Sequence, residues 1–307
     1  MEKMGTYIER IVESIVSRAK DEWRCVRYLV RRILEKKYIM GSNFQIIQLG
    51  IEPEALKKFP NRQRNQLVGC MHAHNELAVL NRLLMFSLND VGDGELHDDA
   101  HGVQMWTIMQ LLSGKLFETW NMLAERLLAA KPEDPAITGL SDQHKISLAW
   151  LKDYFGEPSL KETALRTIRD KTAFHYDRLN LDQAVASLTE QESKVYLAEY
   201  PANSCYYVGA ALVFRAAFTL VADKAIDTAT MSDGERMEAG AKIALDALNE
   251  ANLHIHNVLY GLIDGLLQVA IGMPLEHVEQ LRIPVVDSPA PTVIGLPMFV
   301  DIGNGER

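Results

Sequence analysis

The sequence predicts an all-α fold, a long-helix bundle that ends in an extended, proline-rich carboxyl-terminal arm. Three observations predict it. Apolar residues recur at helical spacing through most of the chain, while period-two alternation is confined to Asn43–Leu49 and the carboxyl tail. The interruptions hold turn formers: Gly41, Pro53 and Pro60, then NDVGDGELHD, KPEDPAITG and GEPS. Past Met273 the chain carries five of its 11 prolines, so helix cannot continue beyond Ile283.

Element by element, the periodicity places helices at about Met4–Lys37, Asn61–Leu88, Asp99–Ala130, Asp142–Phe155, Leu160–Phe174, Leu181–Glu190, Ser204–Ala225 and Asp233–Ile271. The last has the most regular pattern. Leu245, Leu248, Asn252, Ile255, Leu259, Leu262, Leu266 and Val269 alternate spacings of three and four, a heptad seam that favours shallow-angle bundle packing. Asn252 interrupts that seam, either to set register or to reach solvent at the bundle's end. Residues 1–60 are read as an amino-terminal basic helix and connector, 61–275 as the helical bundle and 276–307 as the arm. The arm's apolar residues, among them Leu296, Met298 and Phe299, are too many for a solvated linker, so it is expected to lie on this subunit or a neighbour.

Composition narrows the function classes. The 307 residues are 48% hydrophobic and 24% charged, which suits a packed globular chain. Three scattered cysteines, Cys25, Cys70 and Cys205, give neither a disulfide framework nor a C-x-x-C pair, and a cytoplasmic location is expected. The amino terminus has no uninterrupted apolar core of a signal peptide. Tyr206–Ala222 and Val258–Met273 are apolar but shorter than the roughly 20 residues of a span, and each carries a charge, Arg215 and Asp264. No membrane partner is expected, and these two charges are expected to pair across a helix contact.

The net charge of -9 disfavours an indiscriminate nucleic-acid coat. It is unevenly spread, because residues 1–37 hold ten Lys or Arg against six acids, a local balance of +4 that leaves -13 for the rest. Lys20, Arg24, Arg27 and Arg31 fall on one helical stripe that is a candidate phosphate-binding surface, although a solvated helix face has the same pattern.

Two clusters invite a metal reading. His72 and Glu76 lie four apart on one face with Asn75 and Asn81 nearby, but no second Glu-x-x-His pair occurs in the bundle helices. In ELHDDAH, His97, Asp98, Asp99 and His101 are compact, and Asp98 or Asp99 is read as the cap of a helix starting near Ala100. No metal and no cofactor are expected. Phosphate loop, nucleophile elbow and H-E-x-x-H signatures do not occur. His254 and His256, two apart, point to different sides of their helix.

One segment points to chemistry. LRTIRDKTAFHYDRLN holds Arg169, Asp170 and, after four further residues, His175. An arginine brings a permanent forked cation to a phosphate, and a histidine exchanges a proton near neutral pH. Together they suit RNA cleavage, the histidine serving the ribose 2′-hydroxyl or the leaving oxygen and the arginine the charge on phosphate. On these residues the chain resembles the HEPN superfamily (higher eukaryotes and prokaryotes nucleotide-binding), whose R-x(4-6)-H motif matches Arg169, Asp170 and His175. The resemblance implies a helical homodimer in which two motifs face one another across a cleft. It further implies metal-independent endoribonuclease activity of a toxin or phage-defence component, with RNA and an antitoxin-like protein as partners. Asn75, Glu76 and Tyr176 are expected to line the cleft. The alternative is a non-catalytic helical interaction or scaffold protein.

Overall fold

The computed structural model describes residues 44–87, 94–127, 135–156, 163–173, 179, 181–285 and 295–299. Strand β1 (Phe44–Leu49) opens the described chain, followed by the short α1 (Pro53–Lys58) and the long α2 (Asn61–Phe86). Next come α3 (Glu95–Leu127), α4 (Pro135–Thr138) and α5 (Asp142–Phe155). α6 (Ala164–Ile168) runs directly into a π-helical turn, Arg169–Ala173. α7 (Asp182–Ala186), α8 (Tyr207–Ala225), α9 (Asp233–Ile271) and β2 (Gln280–Val285) complete the order. The architecture is an all-α helical bundle with one small two-stranded sheet among the described residues.

Two helices begin and end where their local chemistry dictates. Ser141 accepts from the His144 amide while its own N–H donates to His144 Nδ1, and Ser232 and Glu235 form the same reciprocal box ahead of α9. α9 stops at Gly272, whose φ of 79° is left-handed, and Pro274 follows. Both helices therefore match their expected spans, Asp142–Phe155 and Asp233–Ile271, residue for residue.

α9 is the spine of the bundle, contacting α2, α3, α5, α6 and, most extensively, α8. Its buried face is broader than the expected seam. Ala244, Leu248, Ala251, Ile255, Val258 and Leu262 are all buried, whereas Val269 is largely exposed, so this is the wide stripe of a globular helix and not a narrow coiled-coil contact. Asn252 is partly buried and bonds across to α2, where Asn81 Nδ2 donates to its Oδ1 at 2.9 Å. α3 adds Met105, Trp106, Leu112, Leu116 and Trp120 to the core. Trp106 meets Phe214 and Phe218 of α8 edge-on, each at 5.1 Å, and Trp120 stacks on Phe155 at 5.4 Å.

Elsewhere the boundaries move for identifiable reasons. α3 starts at Glu95, before the predicted Asp99, so Asp98 and Asp99 lie inside its first turns and not at the N-cap position. The expected helix Leu181–Glu190 shortens to α7, because the Ser187 hydroxyl donates to the Gln183 and Ala184 carbonyls and Thr189 caps a separate 3-10 turn with Glu192. α8 begins at Tyr207, since residues before it are drawn into a 3-10 turn and a bridge between Tyr196 and Cys205. The expected Arg215–Asp264 pair does not form. Arg215 is instead ion-paired with Glu192, both nearly buried, and Asp264 accepts from Gln268 one turn on at 2.9 Å.

The two predicted extended stretches meet. β1 pairs antiparallel with β2, Phe44 opposite Val285 and Ile46 opposite Ile283, which ties the connector to the arm at the end of the bundle where α2 starts and α9 stops. Farther along the arm, Leu296, Met298 and Phe299 pack against the core, and Phe299 meets His97 edge-on at 5.4 Å. No helix among the described residues is long and apolar enough to cross a membrane.

Candidate functional site

Arg169 and Asp170 open the π-helical turn, in which wider hydrogen bonding replaces the α pattern; such turns are frequent at functional sites. Behind them, Thr172 is fully buried and donates to the Ile168 carbonyl at 2.7 Å, which anchors the turn to α6. Both leading side chains stay about three-quarters shielded at the surface. Arg169 Nη1 donates to Asp170 Oδ1 at 2.7 Å and Nη2 to Glu118 Oε1 of α3 at 2.5 Å. Its guanidinium lies 4.7 Å from the Phe117 ring centroid, a cation–π contact. Arg166, one turn earlier, donates from Nε to Asp170 Oδ2 at 3.3 Å.

α3 carries this arrangement toward α2. Lys115, one turn before Glu118 on the same face, is ion-paired with Glu76, whose Oε2 also lies 3.3 Å from His72 Nε2. The structure thus joins three expected site residues, Glu76, Arg169 and Asp170, along one side of α3. Asn75 is exposed on α2 beside them. His175 and Tyr176, and the stripe Lys20, Arg24, Arg27 and Arg31, lie outside the described residues.

Within the strip, Lys115, Arg166 and Arg169 are ion-paired with Glu76, Glu118 and Asp170, and Lys171 lies in the same turn. Motif reading alone missed Lys115, Glu118 and Phe117; their signal was present only as a polar i, i+3 pair flanking an aromatic on a mostly apolar helix.

Other polar groups turn inward. His256 Nε2 lies 3.0 Å from Asn81 Nδ2, and its ring meets that of His74 edge-on at 5.1 Å. Burial, with a smaller contribution from the His74 charge, lowers the His256 pKa to about 4. His254 faces the other way, with Nδ1 3.1 Å from the buried Ser147 hydroxyl and its ring stacked on Trp150 at 4.5 Å. The two histidines do point to different sides, as their spacing requires. Asp99 is buried beneath Tyr196, whose hydroxyl donates to it at 2.7 Å, with Lys194 Nζ 3.7 Å away. Burial, then the bond and charge of Asp99, hold the Tyr196 phenol above its ordinary range. Among the described residues, no group of three His, Cys, Asp or Glu side chains is arranged to hold a metal.

A cleft of about 140 Å³ opens between α7, α8 and the start of α9, lined by Gln183, Ser187, Arg215, Thr219, Asp223 and Asp233. Its charges are spent on near neighbours: Arg215 on Glu192, and both aspartates on Arg236.

No protein-family model, curated protein or solved structure matches this chain.

Proposed function

We propose that this chain is a HEPN-like protein that cuts or binds RNA as a homodimer, through Arg169 and His175 and without a metal. The observation that supports this reading is the surface π turn in which the motif's arginine and its acidic neighbour lie side by side, bonded at 2.7 Å. In this chemistry Asp170 and the Phe117 ring hold the guanidinium in place, and a phosphate oxygen displaces Glu118, the more exposed of its two carboxylate partners. His175 takes the 2′-hydroxyl proton, the 2′-oxygen attacks phosphorus and the 5′-oxygen leaves with a proton from water, giving a 2′,3′-cyclic phosphate and a 5′-hydroxyl, after which His175 returns its proton to solvent. In the toxin form of this reading, an antitoxin-like protein holds the enzyme inactive.

A second reading, a non-catalytic helical interaction protein, is favoured by the pairing of Lys115, Arg166 and Arg169 with carboxylates of the chain itself, since a polyanion would have to displace those carboxylates. One assay separates the two. Purified protein is incubated with total RNA in chelator, beside His175→Ala and Arg169→Gln variants. The nuclease reading expects fragments from wild type and a loss of about 100-fold or more in each variant, the usual scale for removing an acid–base or charge-stabilising group. Intact RNA with all three proteins, together with no RNA retained in a gel shift, leaves the interaction reading.

A further inference from the structure

The two strands of the small sheet have unlike outer edges. β2, QLRIPV, carries Pro284 and Arg282, and its neighbour Glu279 adds another charge; proline and charge are the means by which an edge strand is kept from pairing. β1, FQIIQL, has no charge, no proline and no glycine, and combines β-branched residues with uncharged polar ones. Ile46 and Ile47 point to opposite faces of the ribbon, yet each is 49% exposed, so neither face of β1 is covered at its centre. Among the described residues β1 has a single strand partner, which leaves alternate N–H and C=O groups along its outer edge unbonded to any described strand. A two-stranded ribbon exposed on both faces is marginal by itself.

We infer that β1 is a self-association edge, pairing antiparallel with β1 of a second copy to form a continuous four-stranded sheet, β2-β1-β1-β2. An extended strand is the occupant because the open groups are backbone donors and acceptors. A second copy is the occupant because the strand is self-complementary. A twofold axis perpendicular to the sheet at Ile46 sets that isoleucine against its own counterpart and Phe44 against Gln48, and no like charges are opposed anywhere along Phe44–Gln48. The protected edge of β2 then ends the sheet on both sides, so assembly closes at two copies and does not run on as a fibre. With that axis Phe44–Gln48 are the residues that pair, a contact about 17 Å long and smaller than a standard interface, and the dimer is accordingly reversible and concentration-dependent. This inference stands apart from the RNA reading and survives its failure.

The test is sedimentation velocity of the full chain across a dilution series, with hydrogen exchange of the Phe44–Leu49 amides at both ends of it. Expected are a monomer–dimer equilibrium and, in the dimer, slowing of roughly tenfold or more of those alternate amides that do not bond β2. The double variant Ile46→Lys, Ile47→Lys is expected to stay monomeric with unchanged helical circular dichroism. A monomer at every concentration overturns the inference. So does a dimer in which these amides exchange as they do in the monomer, or amides equally protected at every dilution, which would mean that this chain covers its own edge. A double variant that dimerises like wild type overturns it as well. Should that variant unfold, wild-type exchange decides alone.

Discussion

Asp99 sits inside the helical core end at 7% exposure, and Tyr196 supplies its hydrogen bond from 97 residues away. A carboxylate placed there without a donor would carry its desolvation cost uncompensated. Tyr196→Phe removes that donor and nothing else, and is expected to lower unfolding free energy by about 1–3 kcal/mol in urea titration, Lys194 limiting the loss. His256 makes the complementary case. Its pKa of about 4 in the fold, against about 6.5 when unfolded, means that the unfolded chain binds the extra proton between those values. Stability from this group is therefore complete above about pH 6.5 and falls as pH drops toward 4, by an amount on the order of 3 kcal/mol. Thermal unfolding measured from pH 7 to 4.5 should show that slope, and His256→Gln should flatten it while lowering the plateau.

Among elements, the α8–α9 contact is the tightest. A Cβ added at Gly240 would lie 1.9 Å from the Phe218 carbonyl oxygen, so backbone, and not a flexible side chain, would have to move. Gly240→Ala, which in an isolated helix would be favourable by roughly 1 kcal/mol, is here expected to destabilise by about 1–3 kcal/mol, read as a drop in the urea midpoint. The helices that sequence placed to the residue, α5 and α9, are those with Ser141 and Ser232 caps and with glycines at their ends. Caps and stops act within four residues and so leave a local trace. α7 escaped because Ser187 and Thr189 compete for backbone groups in a way that helical periodicity does not reveal. The π turn at Arg169 has no residue signature at all. Of the candidate strip, Glu76, Arg169 and Asp170 were legible from residue type and spacing, whereas His175 lies outside the described residues. Glu118, 51 residues from Arg169, and the Asn81–Asn252 bond, spanning 171 residues, exist only once helices pack.

For the whole molecule, the bundle acts as a rigid frame that brings α2, α3 and the π turn to one surface strip and leaves a small strand ribbon at one end. Lys115, Arg166 and Arg169 of the strip are paired with carboxylates, whereas the 37 amino-terminal residues carry a positive excess of +4 in a chain of net charge -9. If RNA is the partner, that excess supplies the phosphate affinity that the strip itself does not, and binding should weaken steeply with added salt. In the proposed function Arg169 and His175 act on a phosphodiester. Mass spectrometry of the ends left on a defined single-stranded RNA, after incubation with the full chain in chelator, is the decisive measurement. Expected are 2′,3′-cyclic phosphate paired with 5′-hydroxyl ends, absent with His175→Ala; an uncut RNA, or ends of the same kind from the variant, overturns the proposal.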